Sequence, residues 1–185
     1  MSGVAVVLGR VAPDAEFSSE ALARAATGGD DSAFEALIRR FQRRVHGFAY
    51  QHLRDPDEAQ DLAQEVFVRL YRALDRYDGE RPFEPWFWKL AANVSLNYMR
   101  KRVDSPSPLC GEGRGGAEPW SQSEDLREAL SELDPANRMA LLLHYYSGLS
   151  LAEVAAALHL GLPALKSRMH RSRAALRRAL VEAAP

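Results

Sequence analysis

Few of the residue types that carry catalysis stand where they could act together. The five histidines, His46, His52, His144, His159 and His170, form no HExxH pattern and no pair with convincing metal-ligand spacing. Cys110 is the only cysteine, so neither an internal disulfide nor a cysteine-built zinc site can form within one chain. As a lone thiol it is either incidental or a redox switch. The glycine-rich GEGRGG at 111–116 follows no strand and reads as solvated chain rather than a phosphate cradle. No cofactor and no metal are expected. The chemistry that does concentrate is cationic. Lys166, Arg168, Arg171, Arg173, Arg177 and Arg178 stand beside Ser167 and His170, with no acid before Glu182. Arginine and lysine hold phosphates and can bond guanine O6 and N7 in a major groove. A solvated basic face at a helix C-terminus is the competing reading, but these cations begin in the first turn, where the helix dipole disfavours them.

Two further concentrations lie upstream. Tyr77, Phe83, Trp86, Phe87 and Trp88 crowd one turn-rich stretch, DRYDGERPFEP, and the start of the helix expected from Pro85 onward. From Trp86 to Arg102 there are four cations and no acid, with Asn93 and Asn97 between. Core packing explains large aromatics; stacking on unpaired bases, with asparagine on base edges and cations on phosphates, explains the combination. Earlier still, Asp57, Glu58, Asp61, Gln64 and Glu65 precede Arg69 and Arg72. Complementarity to a helix dipole and an acidic docking face for a basic partner both fit, and spacing does not separate them.

These residues need helices beneath them. Phe34, Leu37, Ile38, Phe41, Val45 and Phe48 recur at steps of three and four, as do Leu62, Ala63, Val66, Phe67, Leu70, Tyr71 and Leu74. Asp55 and Pro56 form a cap followed by a first-turn proline, with Glu58 at the capping-box position. Asp134-Pro135 repeats the device for a helix that stops at Gly148. Ser150 and Glu153 form a Ser-x-x-Glu box before LAEVAAALHL. A turn at Gly161 then leads through Pro163 into a last helix to about Val181, which makes a helix-turn-helix. No alternation long enough for a strand is present. Between Val103 and Gln122 three prolines and four glycines gather, so residues 103–122 read as a linker between a module at 18–102 and another at 123–185, with 1–17 a flexible tail. A long loop inside one domain is the alternative.

Composition sets the outer bounds. Hydrophobic residues are 46% and charged residues 26%, an ordinary globular balance that argues against wholesale disorder. With 24 basic and 25 acidic residues the net charge is −1, so any nucleic-acid surface must be a local patch, not a basic coat. No apolar run reaches the ~18 residues of a membrane span. The short apolar start lacks a basic n-region and is not read as a signal peptide, which points to the cytoplasm.

Together, DSAFEALIRRFQRRVHGFAY, DEAQDLAQEVFVRLYRALDRY, PFEPWFWKLAANVSLNYMRKR and the stretch holding GLSLAEVA and LKSRMHRSR resemble the extracytoplasmic-function group of bacterial RNA polymerase sigma factors over most of residues 31–180. The resemblance implies an all-α fold of two small helical domains, sigma regions two and four, joined by a linker. It implies a binding protein, not an enzyme, which directs core RNA polymerase to promoter DNA. Asp61, Gln64 and Glu65 would dock on the polymerase clamp helices. Gly79, Glu80 and Phe83 would form a pocket for a base flipped from the −10 element, where unpairing costs a few kcal/mol that pocket contacts offset. Trp86, Lys89 and Asn93 would meet the adjoining strand and Arg100 the backbone, while Phe87 and Trp88 belong mainly to the core. Lys166, Ser167, Arg168 and Arg171 would read the −35 element. The chain departs from the family pattern at GLPAL, where Leu162 is a poor cap, and at His170, where an aromatic is frequent. Both bear on which DNA sequence is preferred, not on the fold. An anti-sigma partner is common among relatives. A dimeric helix-turn-helix regulator would need neither the acidic helix nor the aromatic loop, and a helical polymerase antagonist would not need the basic one.

Overall fold

The three expected caps all form. The Asp55 carboxylate accepts from Asp57 N (3.0 Å) and Glu58 N (2.9 Å), Asp134 accepts from Ala136 N (3.0 Å) and Asn137 N (3.3 Å), and Ser150 and Glu153 bond reciprocally at 3.3 and 2.8 Å. Around them the computed structural model describes residues 17–104 and 124–182, and among these there are helices and turns but no strand. The helices are α1 Ser19–Thr27, α2 Asp31–Leu53, α3 Pro56–Ala73, α4 Phe83–Asp104, α5 Glu124–Ser131, α6 Pro135–Leu141, α7 Leu151–Ala157 and α8 Leu162–Glu182. A 3-10 turn, Leu74–Arg76, closes α3, and a widened π turn, Leu142–Tyr146, continues α6. The tail expected at 1–17 and the linker expected at 103–122 lie almost wholly outside the described residues.

The first four helices pack on one another in sequence, α1 on α2, α2 on α3 and α3 on α4. The apolar steps read from the sequence become their inner faces, except at Tyr71, which is 61% exposed and meets the half-buried Phe34 ring edge-on at 5.1 Å. Leu37, Phe41, Val45 and Phe48 of α2 and Leu62, Val66 and Leu70 of α3 are buried against Phe83, Phe87 and Trp88 of α4. The Phe41 and Phe87 rings lie 4.8 Å apart and Phe48 and Trp88 5.4 Å apart, within the range of favourable aromatic contacts. Helix α4 begins at Phe83, two residues before the expected Pro85, because Glu20 of α1 caps it: its carboxylate accepts from Phe83 N at 3.0 Å. That bond, followed by one from the Glu20 backbone, holds the Glu20 carboxyl below its usual range.

In the C-terminal part α5, α6 and α7 each pack on α8 around Met139, Leu143, Leu165 and Met169. The turn between α7 and α8 differs from expectation. The left-handed residue is His159 (φ 53), not Gly161. Leu160 N bonds Ala155 O (2.9 Å) and His159 N bonds Ala156 O (3.4 Å), a Schellman closure of α7. Gly148, at φ 77, ends the preceding helix as its position suggested.

The two groups of helices also pack together. Helix α4 lies against α7, and α2 meets α6 and the π turn. Buried apolar residues from both groups join one contiguous cluster.

Candidate nucleic-acid interface

Helix α8 divides cleanly between an inner and an outer face. Leu165, Met169 and Ser172 are buried at steps of four and three, and the Ser172 hydroxyl donates to the Arg168 carbonyl at 2.9 Å. The outer face therefore carries Lys166, Ser167, His170 and Arg171 into solvent, with Arg168 half-buried at its edge. Among the described residues no carboxylate pairs with Lys166, Arg168 or Arg171. Their charge is left uncompensated on one convex helix, presented by the boxed α7 and its Schellman turn. All four residues expected on the −35 element thus lie on one edge and face of α8.

The other expected residues divide into a groove and a loop. A groove of about 990 Å³ runs between α3 and α4. Asp61, Gln64 and Glu65 form one wall, and Trp86, Lys89 and Asn93 the other. Asp61, Gln64 and Lys89 are exposed; Glu65 is half-buried and pairs with Arg69 one turn on, at 2.7 Å. Asn97 and Lys101 continue the α4 wall at steps of four from Asn93. That repeat was present in the sequence, and it places these two beside the expected set. Arg100 is exposed outside the groove and bonds Asn97 Oδ1 at 3.3 Å.

The loop before α4 is held tightly. The Tyr77 hydroxyl donates to the Arg81 carbonyl, Arg81 pairs with Asp78 at 3.1 Å, and Glu80 N bonds Asp78 Oδ1 at 3.2 Å. Burial holds the Tyr77 phenol above its ordinary value, and the nearby Glu20 carboxylate adds to this. Gly79 lies against the Arg24 stem: a Cβ there would come within 3.1 Å of two of its carbons. Glu80 is exposed. Phe83 needs correcting. It is fully buried, edge-on to Tyr77 (5.3 Å) and stacked with Phe87 (5.7 Å), so its ring supports the loop from beneath and offers no face to a base. Trp86 is the half-buried aromatic at this place, 5.0 Å from Tyr77.

A second groove, of about 790 Å³, opens where α2 meets the C-terminal helices. Leu126, Leu130, Leu142 and Leu176 contribute to its floor, and Arg44, Arg173 and Arg177 also line it. Arg44 stacks on the Trp88 ring at 5.3 Å and pairs with Glu84 at 2.9 Å. No group of three metal-ligating side chains occurs among the described residues, and no helix there is long and apolar enough to cross a membrane.

The comparisons follow the same division. The family model for Sigma-70 region 2 matches residues 37–104 and that for Sigma-70 region 4 matches residues 123–176. The ECF RNA polymerase sigma factor SigW of Bacillus subtilis is 28% identical over 170 residues, covering 82% of this chain and 91% of the relative. The ECF RNA polymerase sigma-E factor of Escherichia coli K12 is 28% identical over 179 residues, covering 87% and 93%. Among solved structures, CnrH in complex with the cytosolic domain of CnrY superposes with a TM-score of 0.68 at 26% identity, covering 90% of this chain and 99% of that one. With both regions matched in order and relatives aligned across nearly their whole length, the chain belongs to the extracytoplasmic-function group of RNA polymerase sigma factors.

Proposed function

We propose that this sigma factor, which acts in promoter-specific initiation by binding and not by catalysis, divides the promoter between its two modules. Residues 18–102 dock on core RNA polymerase and open and read the −10 element. Residues 123–185 read the −35 element as duplex, and 103–122 link the two. The observation that carries this reading is the outer face of α8, where Lys166, Ser167 and Arg171 stand exposed with Arg168 at their edge and, among the described residues, no carboxylate paired with them. One good bidentate arginine or lysine contact to guanine discriminates by ~1–3 kcal/mol.

In the N-terminal module the acidic wall, Asp61, Gln64 and Glu65, suits the basic surface of the polymerase clamp helices. Trp86, Lys89 and Asn93 across the groove combine the stacking, phosphate and base-edge groups that an opened strand needs. Gly79 and Glu80 supply the pocket, with Trp86 taking the part expected of Phe83, and Arg100 holds backbone outside the groove. The protein would act where DNA and polymerase are, in the cytoplasm. An anti-sigma partner belongs to the same reading. CnrH was solved with the cytosolic domain of CnrY, and the second groove here, an apolar floor with three guanidinium groups, suits an acidic amphipathic helix.

The test is run-off transcription with purified core polymerase, with and without this protein, on fragments of its own genome. Discrete transcripts that require the protein are expected. Tight duplex binding by the protein alone with no transcript would replace this reading with that of a conventional helix-turn-helix regulator.

A further inference from the structure

Two of the described glycines lie under a side chain from another element, and neither has a left-handed φ that would call for glycine. Gly47 of α2 meets Tyr146 of the π turn so closely that a Cβ at position 47 would overlap the tyrosine hydroxyl. Gly79, in the loop before α4, lies under Arg24 of α1, where a Cβ would come within 3.1 Å of both Cγ and Cδ of the arginine. The missing side chain at 79 thus lets the arginine stem lie along the loop. The guanidinium begins one bond beyond Cδ, so it is delivered to the rim of the pocket assigned to Gly79 and Glu80.

Helix α1 is held in register with that rim from both sides. Glu20, Arg24 and Thr27 stand at steps of four and three, on one face of the helix. The Glu20 carboxylate accepts from Phe83 N at 3.0 Å, after the loop, and the Thr27 hydroxyl lies 3.4 Å from the Leu74 carbonyl, before it. Arg24 falls between these two anchors. A cation in the last turn of α1 also suits the helix dipole, but the dipole accounts neither for the glycine beneath it nor for its lack of a partner. Arg24 is exposed, and among the described residues no carboxylate pairs with it. The loop itself is acidic. Residues 75–84 hold Asp75, Asp78, Glu80 and Glu84 against Arg76 and Arg81, and Arg81 is paired with Asp78 at 3.1 Å. A loop of that charge repels a phosphate backbone unless a cation from another element offsets it.

We propose that Arg24 is a further −10 contact, its guanidinium binding a phosphate of the opened strand beside the flipped base. The inference rests on the −10 reading above and adds to it a residue from a helix that precedes the matched region-two residues 37–104.

The test uses the full chain with core polymerase on a promoter found by the run-off assay, with opening read by permanganate reactivity of unpaired thymines. Arg24→Gln keeps the stem that lies on Gly79 and removes the charge. It should weaken opening about three- to tenfold and reduce the salt slope by ~0.7, the share of one single-strand phosphate. Core polymerase binding and helical content should not change. Arg24→Lys should recover most of the loss, which a purely structural stem would not require. A single uncharged methylphosphonate, moved through the −10 phosphates in turn, locates the contact. At one position the unaltered protein should lose as much as Arg24→Gln does, and Arg24→Gln should lose nothing more. Gly79→Ala should weaken opening by displacing the stem, and its loss should not multiply with that of Arg24→Ala. Unchanged opening by Arg24→Gln, or a loss that persists at every methylphosphonate position, would overturn the assignment. Lys89→Ala separates the two levels. If it weakens opening and Arg24→Gln does not, the Arg24 contact alone falls; if neither has an effect, the −10 reading falls and the contact with it.

Discussion

Phe83 and Trp86 stand three residues apart in one aromatic stretch, and only packing tells them apart. Composition marks the whole stretch as suited to bases; burial divides it, with Phe83 enclosed and Trp86 half open. Phe83→Ala should therefore cost ~3–5 kcal/mol of stability, as large-to-small core changes do. Trp86→Ala should cost clearly less and instead weaken promoter opening, which urea melts and permanganate footprints would separate. His52 presents a different problem at the same scale. Its ring is buried, and burial first, then the neighbouring Arg138 charge, lowers its pKa from 6.5 to about 4. The unfolded chain thus binds a proton there more readily than the folded one. The stability contributed by neutral His52 is complete above pH 6.5 and is lost as pH falls toward 4, on the order of 2 kcal/mol by pH 5. His52→Leu should flatten urea midpoints between pH 7.5 and 5. The lowered carboxyls of Glu20 and Asp30 contribute chiefly below that window. Nothing in the sequence around His52 or Arg138 distinguishes them from surface residues, because the partner of each lies 86 positions away.

Helix boundaries were legible where their signals are local. Asp55-Pro56, Asp134-Pro135 and Ser150 with Glu153 lie within four residues of the groups they cap, so a reader of the sequence finds them. The start of α4 was misplaced by two residues because its cap, Glu20, comes from another helix 63 positions earlier. The α7–α8 turn was misplaced for a different reason. Glycine is the usual left-handed residue, yet here His159 takes that conformation while Gly161 has no positive φ. His159→Gly should therefore stabilise the protein by ~0.5–1 kcal/mol, raising its melting temperature, since the left-handed penalty of a side chain is removed. Gly161→Ala should change little: its Cβ would meet only a Pro163 carbon at 3.9 Å.

For the molecule as a whole, the sequence reads as two modules with separate surfaces, and it gives no sign that the two helical groups share a core. Each contact across the boundary, α4 on α7 or Arg138 on α2, joins stretches whose own apolar pattern is already satisfied by nearer neighbours. The separation of surfaces has its own test. Lys166→Ala with Arg171→Ala should weaken −35 duplex binding at least tenfold and leave core polymerase binding unchanged. Asp61→Arg with Glu65→Arg should do the reverse. Helical content in both pairs should match the unaltered chain, because all four side chains lie outside the core. Gel shifts and polymerase pull-downs on the same samples read both outcomes.

The fit of Tyr146 over Gly47 also bears on how such chains can recombine. Two-module proteins invite exchange of one half between relatives, and a junction outside both helical groups looks harmless. Here close packing of the two halves depends on a matched pair of positions. A donor N-terminal half with any side chain at position 47 would meet the Tyr146 hydroxyl of this C-terminal half, so hybrids that keep the packed boundary should carry either glycine at 47 or a smaller residue at 146.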